Sequence, residues 1–216
     1  MSRTTTYDID TSYFSSIDSS GKAYWLGALA ADGCIYHMQN KWMFQFIVAE
    51  KDRQWLQAFQ NAIHSTHPLR ILPGGFGTPC VRLVIVNQLF SMPLVEIGLK
   101  SGDVLNRIPE YLWCHFIRGL FDGDGCIRLD IGKQRHTGYI PRTLAWSLLS
   151  QSHDLLQSIQ SVIAKYCDLT PQHMRFHHNV WEWTVRGNRQ VKRIAQYLYP
   201  DGIYPFLARK RDKFAV

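Results

Sequence analysis

Two acidic residues occupy equivalent places in a repeated segment of the chain. Leu26–Ile35 reads Leu-Gly-Ala-Leu-Ala-Ala-Asp-Gly-Cys-Ile, and Arg118–Ile127 reads Arg-Gly-Leu-Phe-Asp-Gly-Asp-Gly-Cys-Ile. Each copy is an apolar stretch that ends in Asp-Gly, with Asp32 in the first and Asp124 in the second. Carboxylates are favoured ligands of Mg²⁺, which in enzymes activates water and stabilises negative charge on phosphates. If the fold brings them together, the two carboxylates suggest metal-dependent hydrolysis of phosphodiester bonds.

The residues that precede the two aspartates predict how they would meet. Each copy has two small residues four positions apart: Gly27 and Ala31, then Gly119 and Gly123. Small residues at this spacing clear one helix face, so two helices can pack with their backbones close together. Such packing would bring Asp32 and Asp124 to the same end of the pair, where the helix dipoles and mutual repulsion oppose ionisation. A divalent cation between the carboxylates would reverse that penalty.

The elements around these segments predict an α+β fold made of two αββαββα repeats, each with an antiparallel sheet. We expect an N-terminal repeat at 1–105 and a C-terminal repeat at 106–216. Gly33 is expected to end the first helix in the left-handed geometry that glycine favours. The patterns predict helices at 22–32, 52–63, 87–98, 109–123, 152–163 and 190–198, and strands at 34–40, 42–48, 69–72, 81–86, 126–131, 143–149 and 180–185.

The composition favours a folded protein that contacts polyanions. The 216 residues are 46% apolar, and 24 Lys and Arg against 17 Asp and Glu give a net charge of +7. A basic excess of this kind favours nucleic acid as a partner. The five cysteines form no Cys-x-x-Cys pair, which is typical of a reduced protein without a zinc site, and His173, His177 and His178 are interpreted as loop residues.

We also expect the protein to be intracellular, in the cytoplasm, the nucleoid or an organelle matrix. The sequence shows no secretory signal and no apolar run of membrane-spanning length, so secretion and a membrane partner are not expected.

The repeated segments resemble the motif of the LAGLIDADG homing endonucleases, in the form that carries two motifs on one chain. Ile117–Gly125 follows the motif closely, and Trp25–Gly33 follows it with Ala30 where the sixth-position acid would be. The resemblance implies that the eighth-position acids, Asp32 and Asp124, are the catalytic metal ligands. Asp122, the sixth-position acid of the second copy, is expected to have a structural or secondary role.

The resemblance also implies a basic residue after the last helix of each repeat, facing the active centre. Lys100 and Lys210 occupy those places and would stabilise charge at the scissile phosphates or polarise the water. The alternative for each is a solvated surface lysine, and Arg209 would replace Lys210 if the register shifts by one. The implied cofactor is Mg²⁺, for which Ca²⁺ or Mn²⁺ can substitute.

In the implied fold, the two twisted sheets form a saddle over the DNA major groove. With Ile35 in the core, the strand period directs Tyr36, Met38 and Asn40 toward DNA, and the same parity directs Arg128 and Asp130. Basic side chains expected to meet phosphates are Arg53, Arg70, Arg82, Lys133, Arg135, Arg142, Arg186 and Arg193.

The resemblance therefore implies a monomeric, intron-encoded, site-specific endonuclease that cuts double-stranded DNA across the minor groove and leaves cohesive 3′ overhangs. Each acid would serve one strand, and no obligate protein partner is expected. Two alternatives stay open from the sequence. One is an RNA maturase or other non-cleaving nucleic-acid-binding protein with the same fold, and the other is a structural protein joined through its glycine-bearing helices.

Overall fold

The computed structural model describes residues 7–74, 77–134 and 136–215, which form two halves of the same architecture. The first half contains, in order, α1 (Ser20–Asp32), β1 (Gly33–Met38), β2 (Lys41–Ala49), α2 (Arg53–Ala62), β3 (Arg70–Leu72), β4 (Cys80–Val86) and α3 (Gln88–Ile97). The second contains α4 (Trp113–Asp124), β5 (Gly125–Ile131), β6 (Arg142–Ser150), α5 (His153–Cys167), β7 (Arg175–His177), β8 (Val180–Arg186) and α6 (Asn188–Leu198). The predicted α+β class and the repeated αββαββα order are confirmed.

Shorter elements join and follow these helices and strands, beginning with a 3-10 turn at Glu50–Asp52 before α2. Two 3-10 helices, Gly102–Arg107 and Glu110–Leu112, connect the halves, and α7 (Ala208–Arg211) and a 3-10 turn (Asp212–Ala215) follow α6. Across the described ranges, no helix has both the length and the apolar character needed to cross a bilayer.

Each half has a four-stranded antiparallel sheet, with strand orders β1-β2-β4-β3 and β5-β6-β8-β7. One face of each sheet is buried against helices, as on β2, where Phe44, Phe46 and Val48 alternate with less buried residues. Because strand side chains alternate between faces, these less buried residues share the opposite face, which we call the open face. Tyr36 belongs to the open face of the first sheet and Arg128 to that of the second.

Helices α1 and α4 pack backbone against backbone at the centre of the molecule. A Cβ atom placed on Gly27 would lie 1.9 Å from the Phe116 carbonyl oxygen, and one on Gly119 would lie 1.9 Å from the Tyr24 carbonyl oxygen. No larger residue fits at either glycine without moving a helix backbone. The predicted close approach of the two helices is confirmed.

The glycines after the two helices differ from the sequence expectation. Gly33 has φ −78° and Gly125 has φ −83°, so both are extended and lead directly into β1 and β5; the prediction of left-handed geometry at Gly33 was wrong. Glycine is required there by crowding instead. A Cβ atom on Gly33 would lie 2.4 Å from the Leu29 carbonyl oxygen, and one on Gly125 would lie 2.0 Å from the Phe121 ring.

The second half also differs from the prediction near its histidines. His177 was expected in a loop but lies on β7, opposite Val180 of β8. The strand has only three residues, so its alternation was too short to detect in the sequence.

Candidate active site

The two repeated aspartates meet where α1 and α4 end. Oδ2 of Asp32 lies 3.0 Å from the position of an ideal Cβ atom on Gly123, the residue directly before Asp124. The bare backbone at Gly123 therefore makes room for the carboxylate of the other half. The structure brings Asp32 and Asp124 together at one end of the helix pair, as the small-residue spacing predicts.

The surroundings of this pair oppose ionisation. Desolvation by the packed helix ends and repulsion by Asp124 raise the pKa of Asp32 to about 7, although solvent still reaches its side chain. Asp124 is half-buried, and desolvation raises its pKa as well. Lys100 and Lys210 act in the opposite direction on both carboxylates. The centre thus combines two closely spaced acids with two cations, and positive charge between the acids would stabilise it.

The two lysines reach this centre in different ways. Lys210, on α7, is only 7% exposed, and its Nζ donates to the carbonyl oxygens of Gly123 and Gly125 on either side of Asp124. Burial and the neighbouring Arg209 lower the pKa of Lys210. Lys100, in the turn after α3, is exposed. The predicted pair of lysines is present, but one belongs to the packed interior and the other to the surface.

Arg209 does not take the place of Lys210. Its guanidinium forms a two-point ion pair with the buried carboxylate of Asp52, with Nε 2.6 Å from Oδ1. Asp52 lies directly before α2, but its side chain makes no capping hydrogen bond and turns instead to the other half of the molecule. Because the partners are 157 positions apart, no local pattern could have revealed the pair.

Asp122 is an internal anchor. Its fully buried carboxylate accepts hydrogen bonds from the Tyr24 hydroxyl, the Tyr199 hydroxyl and the Leu207 backbone N–H. Burial raises its pKa to about 6 although these hydrogen bonds act in the opposite direction. Trp55 donates to the Tyr24 hydroxyl, so the network continues into the first half. With its oxygens engaged in this way, Asp122 has the structural position expected of it.

The donor chemistry of the centre fits a hard divalent cation. Asp32 and Asp124 supply oxygen ligands, and among the described residues no group of three or more His, Cys, Asp or Glu side chains converges. Further coordination positions would be filled by water and by phosphate oxygens. Mg²⁺ commonly uses one or two carboxylates together with waters and phosphates.

Strand register confirms the predicted parity in the first sheet. Ile35 pairs with Phe44 on the core side, whereas Tyr36 and Met38 lie on the open face opposite Met43 and Lys41. Asn40 departs from the prediction because β1 ends at Met38. It lies in the two-residue turn before β2, with φ 59°, and not on the strand.

The second sheet follows the same parity. Arg128 and Asp130 lie on its open face, opposite Ala145 and Thr143, and Arg186 of β8 lies beside them across Ala145. Asp130 forms ion pairs with both arginines.

The remaining predicted phosphate contacts have varied positions. Arg82 is on the open face of the first sheet, paired with Ile47 and Arg70. Arg53 begins α2 and pairs with Glu50, and Lys133 is exposed after β5. Arg142 begins β6 opposite Ile131, so the register directs it to the face opposite Arg128, and Arg135 lies outside the described residues. Arg193 bonds Asp168, away from the sheets' open faces.

Comparisons with known proteins agree with this architecture. Residues 114–199 match the family model described as a LAGLIDADG-like domain, and no curated protein matches the sequence. The LAGLIDADG meganuclease I-AabMI, solved bound to uncleaved DNA, superposes with a TM-score of 0.62 at 16% identity, covering 89% of this chain and 88% of its own. The LAGLIDADG homing endonuclease I-LtrWI, solved bound to target DNA, gives 0.62 at 12% identity, covering 95% and 88%.

A third relative was solved with a divalent cation. I-SmaMI bound to an uncleaved DNA target in the presence of calcium ions gives a TM-score of 0.54 at 11% identity, covering 81% of this chain and 84% of its own. At such identities the likeness concerns the fold, and it extends over both halves. The chain therefore contains a LAGLIDADG-like domain at residues 114–199 and has, over most of its length, the two-repeat fold of the LAGLIDADG meganucleases.

Proposed function

We propose that this protein is a monomeric, site-specific endonuclease that cuts both strands of a DNA target in the presence of Mg²⁺. The observation that carries the proposal is the meeting of Asp32 and Asp124 at the joint between α1 and α4, with Lys100 and Lys210 acting on both. Solved proteins of the same fold have DNA bound, and one of them was solved with calcium ions. Both acids come from one chain, so a second copy is not needed to complete the centre.

Asp32 and Asp124 would hold the cation, which when bound supplies positive charge for activating water and stabilising the phosphate. The two acids come from different halves, so each would serve one strand. At each cut a water oxygen bonds to phosphorus, the bond from phosphorus to the 3′ oxygen breaks, and that oxygen leaves with a proton as a 3′ hydroxyl. Cuts displaced across the minor groove would leave cohesive 3′ overhangs.

The lysines and the sheets supply the other requirements of the reaction. Lys210, held by the carbonyl groups of Gly123 and Gly125, would place a fixed positive charge beside the phosphate without a rearrangement during the reaction. Lys100 is exposed and would pair with the phosphate once DNA is bound. The open faces and the net charge of +7 would hold the duplex.

The test is cleavage of a plasmid library with randomised inserts, in Mg²⁺ and in EDTA, followed by sequencing of the ends. We expect recurrent double-strand breaks at one site with wild-type protein and Mg²⁺. Asp32→Asn and Asp124→Asn should each abolish double-strand cleavage but retain DNA binding in Ca²⁺. Asp201→Asn, which removes an exposed carboxylate beyond α6, is the matched control and should cleave normally.

Other outcomes would contradict the proposal. Full cleavage by either active-site variant would refute the catalytic assignment, and cleavage in EDTA would refute the metal requirement. Binding of RNA with splicing activity and no DNA cleavage would instead identify an RNA maturase.

A further inference from the structure

We propose that the two halves of the DNA-binding surface read different bases at matched positions: guanine in the C-terminal half, through Arg128 and Arg186 held by Asp130, and thymine in the N-terminal half, through Tyr36, Met43 and Val86. The inference rests on the proposed function insofar as the open faces of the sheets must meet DNA. It predicts a DNA target whose two half-sites differ at matched positions, and it assigns Asp130 the role of positioning the two arginines.

The strand registers define the matched positions. In the first sheet, Tyr36 of β1 lies opposite Met43 of β2, which lies opposite Val86 of β4. In the second sheet, Arg128 of β5 lies opposite Ala145 of β6, which lies opposite Arg186 of β8. We call these rows the N-terminal rung (Tyr36, Met43, Val86) and the C-terminal rung (Arg128, Ala145, Arg186). Each rung crosses the three corresponding strands of its own repeat and lies on the open face of its own sheet.

The C-terminal rung presents a held pair of arginines. Asp130, two positions after Arg128 on the same face, accepts from Nε of Arg128 at 3.1 Å and from Nε of Arg186 at 3.3 Å. Ala145 between the arginines is small and only 1% exposed, so the two arginines form the surface of the rung. Within the described part of the chain, the terminal nitrogens of both guanidinium groups have no hydrogen-bond partner, and the two side chains are 42% and 54% exposed. These nitrogens are available for a ligand in front of the sheet.

This arrangement suits a guanine edge better than a phosphate. Guanine offers O6 and N7 as adjacent acceptors in the major groove, and a guanidinium can bond both at once. Asp130 offsets one of the two positive charges, which weakens the attraction of the arginines for an anionic phosphate but leaves their terminal donors available to a neutral base edge. The carboxylate also fixes both side chains before binding, which reduces the conformational entropy lost on recognition.

The N-terminal rung has the opposite chemistry. The Tyr36 hydroxyl donates to the sulfur of Met43, and Val86 is 48% exposed. Met38, which corresponds to Asp130 in the repeat, is 51% exposed. The rung can contact the C5-methyl group of thymine, whereas O6 and N7 of guanine would find no free donor in it, because the Tyr36 hydroxyl is engaged by Met43. Lys41, opposite Met38, lies outside the rung.

The test is selection of bound duplexes from a randomised DNA library in Ca²⁺, so that recognition is measured without cutting. We expect guanine at one position of one half-site and thymine at the equivalent position of the other. Arg128→Ala and Arg186→Ala should remove the guanine preference, which we expect to be roughly 5- to 100-fold in affinity, and should retain the thymine preference. Y36A should have the reverse effect.

Asp130→Asn tests whether Asp130 positions the two arginines or contacts a base itself. If Asp130 positions the arginines, the variant should discriminate less for guanine but bind unrelated DNA more tightly, because a negative charge has been removed from the surface. The matched control Asp201→Asn removes the same charge away from the sheets and should change neither property. As a gain-of-function test, transfer of the cluster in the variant Y36R/M38D/M43A/V86R should convert the thymine preference to guanine.

Three results would overturn the inference. These are equal base preferences at the two rungs, a guanine preference that survives both arginine substitutions, or an Asp130→Asn protein that keeps the full guanine preference or binds unrelated DNA no more tightly than the wild-type protein. If the protein selects the predicted bases but never cuts in Mg²⁺, the endonuclease proposal fails and this inference stands. If it cuts one site without these preferences, the reverse holds, and failure to bind any DNA refutes both.

Discussion

The ionised carboxylate of Asp32 lies in an unfavourable electrostatic environment. Desolvation, the nearby Asp124 and the more distant Asp52 all raise its pKa, and the lysines only partly offset them, so its pKa reaches about 7. A carboxyl whose pKa is raised by folding stabilises the fold in its protonated form. Its contribution is therefore most favourable at acidic pH and is lost as the pH rises through about 7. In the metal-free protein, ionisation of Asp32 therefore lowers the free energy of unfolding.

Asp32→Asn should for this reason stabilise the metal-free protein at alkaline pH. We expect a Tm increase of about 2–4 °C at pH 8, kept small because solvent reaches and screens the carboxylate, and almost none at pH 4. The measurement is thermal unfolding in EDTA across that range, with Asp201→Asn as the exposed control. An increase that is equal at both pH values would show that the effect is not electrostatic.

Asp122→Ala should have the opposite consequence for stability. It leaves the Tyr24 hydroxyl, the Tyr199 hydroxyl and the Leu207 N–H without their acceptor and removes a negative charge near the buried Arg118. We expect the free energy of unfolding to fall by about 3–5 kcal/mol, measured by urea denaturation. Tyr199→Phe removes one donor and should cost about 1 kcal/mol. Equal losses in the two variants would contradict the anchor role.

At the residue scale, the sequence was informative where the chemistry is repeated. Asp32 and Asp124 could be predicted because each copy reports the same local geometry, and Asp122 could be separated from them because Ala30 takes its place in the first copy. The ion pair of Asp52 and Arg209 could not be predicted. Nothing near either residue indicates that α7 of one half lies against α2 of the other.

At the element scale, the close contact between α1 and α4 depends on glycines, which have no side chain to keep the two backbones apart. Gly119→Ala would place a Cβ atom 1.9 Å from the Tyr24 carbonyl oxygen and 2.8 Å from the Ala28 nitrogen, so α1 and α4 must separate. We expect a loss of at least about 3 kcal/mol in the free energy of unfolding, the range of severe overpacking. Urea denaturation measures this loss, and cleavage should fall with it because the two aspartates separate.

Gly21→Ala provides a control in the same helix. Its added Cβ atom would lie 3.8 Å from the Tyr13 hydroxyl, which is an ordinary van der Waals contact. Because alanine favours helices over glycine, this variant should be neutral or stabilised by up to about 1 kcal/mol. A Gly119→Ala protein as stable as Gly21→Ala would contradict the close helix contact.

Most element types were predictable because their apolar patterns are long, the three-residue β7 being the exception, whereas the exact ends of elements depend on neighbouring residues in the fold. Gly33 shows the difference. Its Asp-Gly context indicates a helix end, but the following strand starts without a turn, and the glycine is needed because Leu29 of the preceding helical turn lies too close for a Cβ atom. Asn40 shows the same limit, since only the turn geometry separates it from β1.

At the scale of the whole molecule, the two halves are held together away from the helix pair as well. Asp52 belongs to the first half and is 6% exposed, and Arg209 reaches it from α7, next to Lys210. A cavity of about 330 Å³ lies beside the pair, lined by residues of α2 and of the segment 204–209. The contact therefore attaches the segment that carries Lys210 to the opposite repeat, and so couples assembly of the halves to the active centre.

Breaking this ion pair should produce an asymmetric loss of stability. Arg209→Met leaves a buried carboxylate without a partner and should cost about 3 kcal/mol, whereas Asp52→Asn leaves a partly exposed guanidinium that water can solvate and should cost about 1–2 kcal/mol. The double variant should lose less than the sum of the two, with a coupling of about 1–3 kcal/mol in urea denaturation. Arg53→Met, which breaks the exposed pair with Glu50, should cost less than about 1 kcal/mol.

Because displacement of α7 withdraws Lys210 from Gly123 and Gly125, the Arg209→Met protein should also cleave DNA more slowly, although it should still bind DNA in Ca²⁺. Additive losses of stability together with unchanged cleavage would show that the ion pair does not position Lys210.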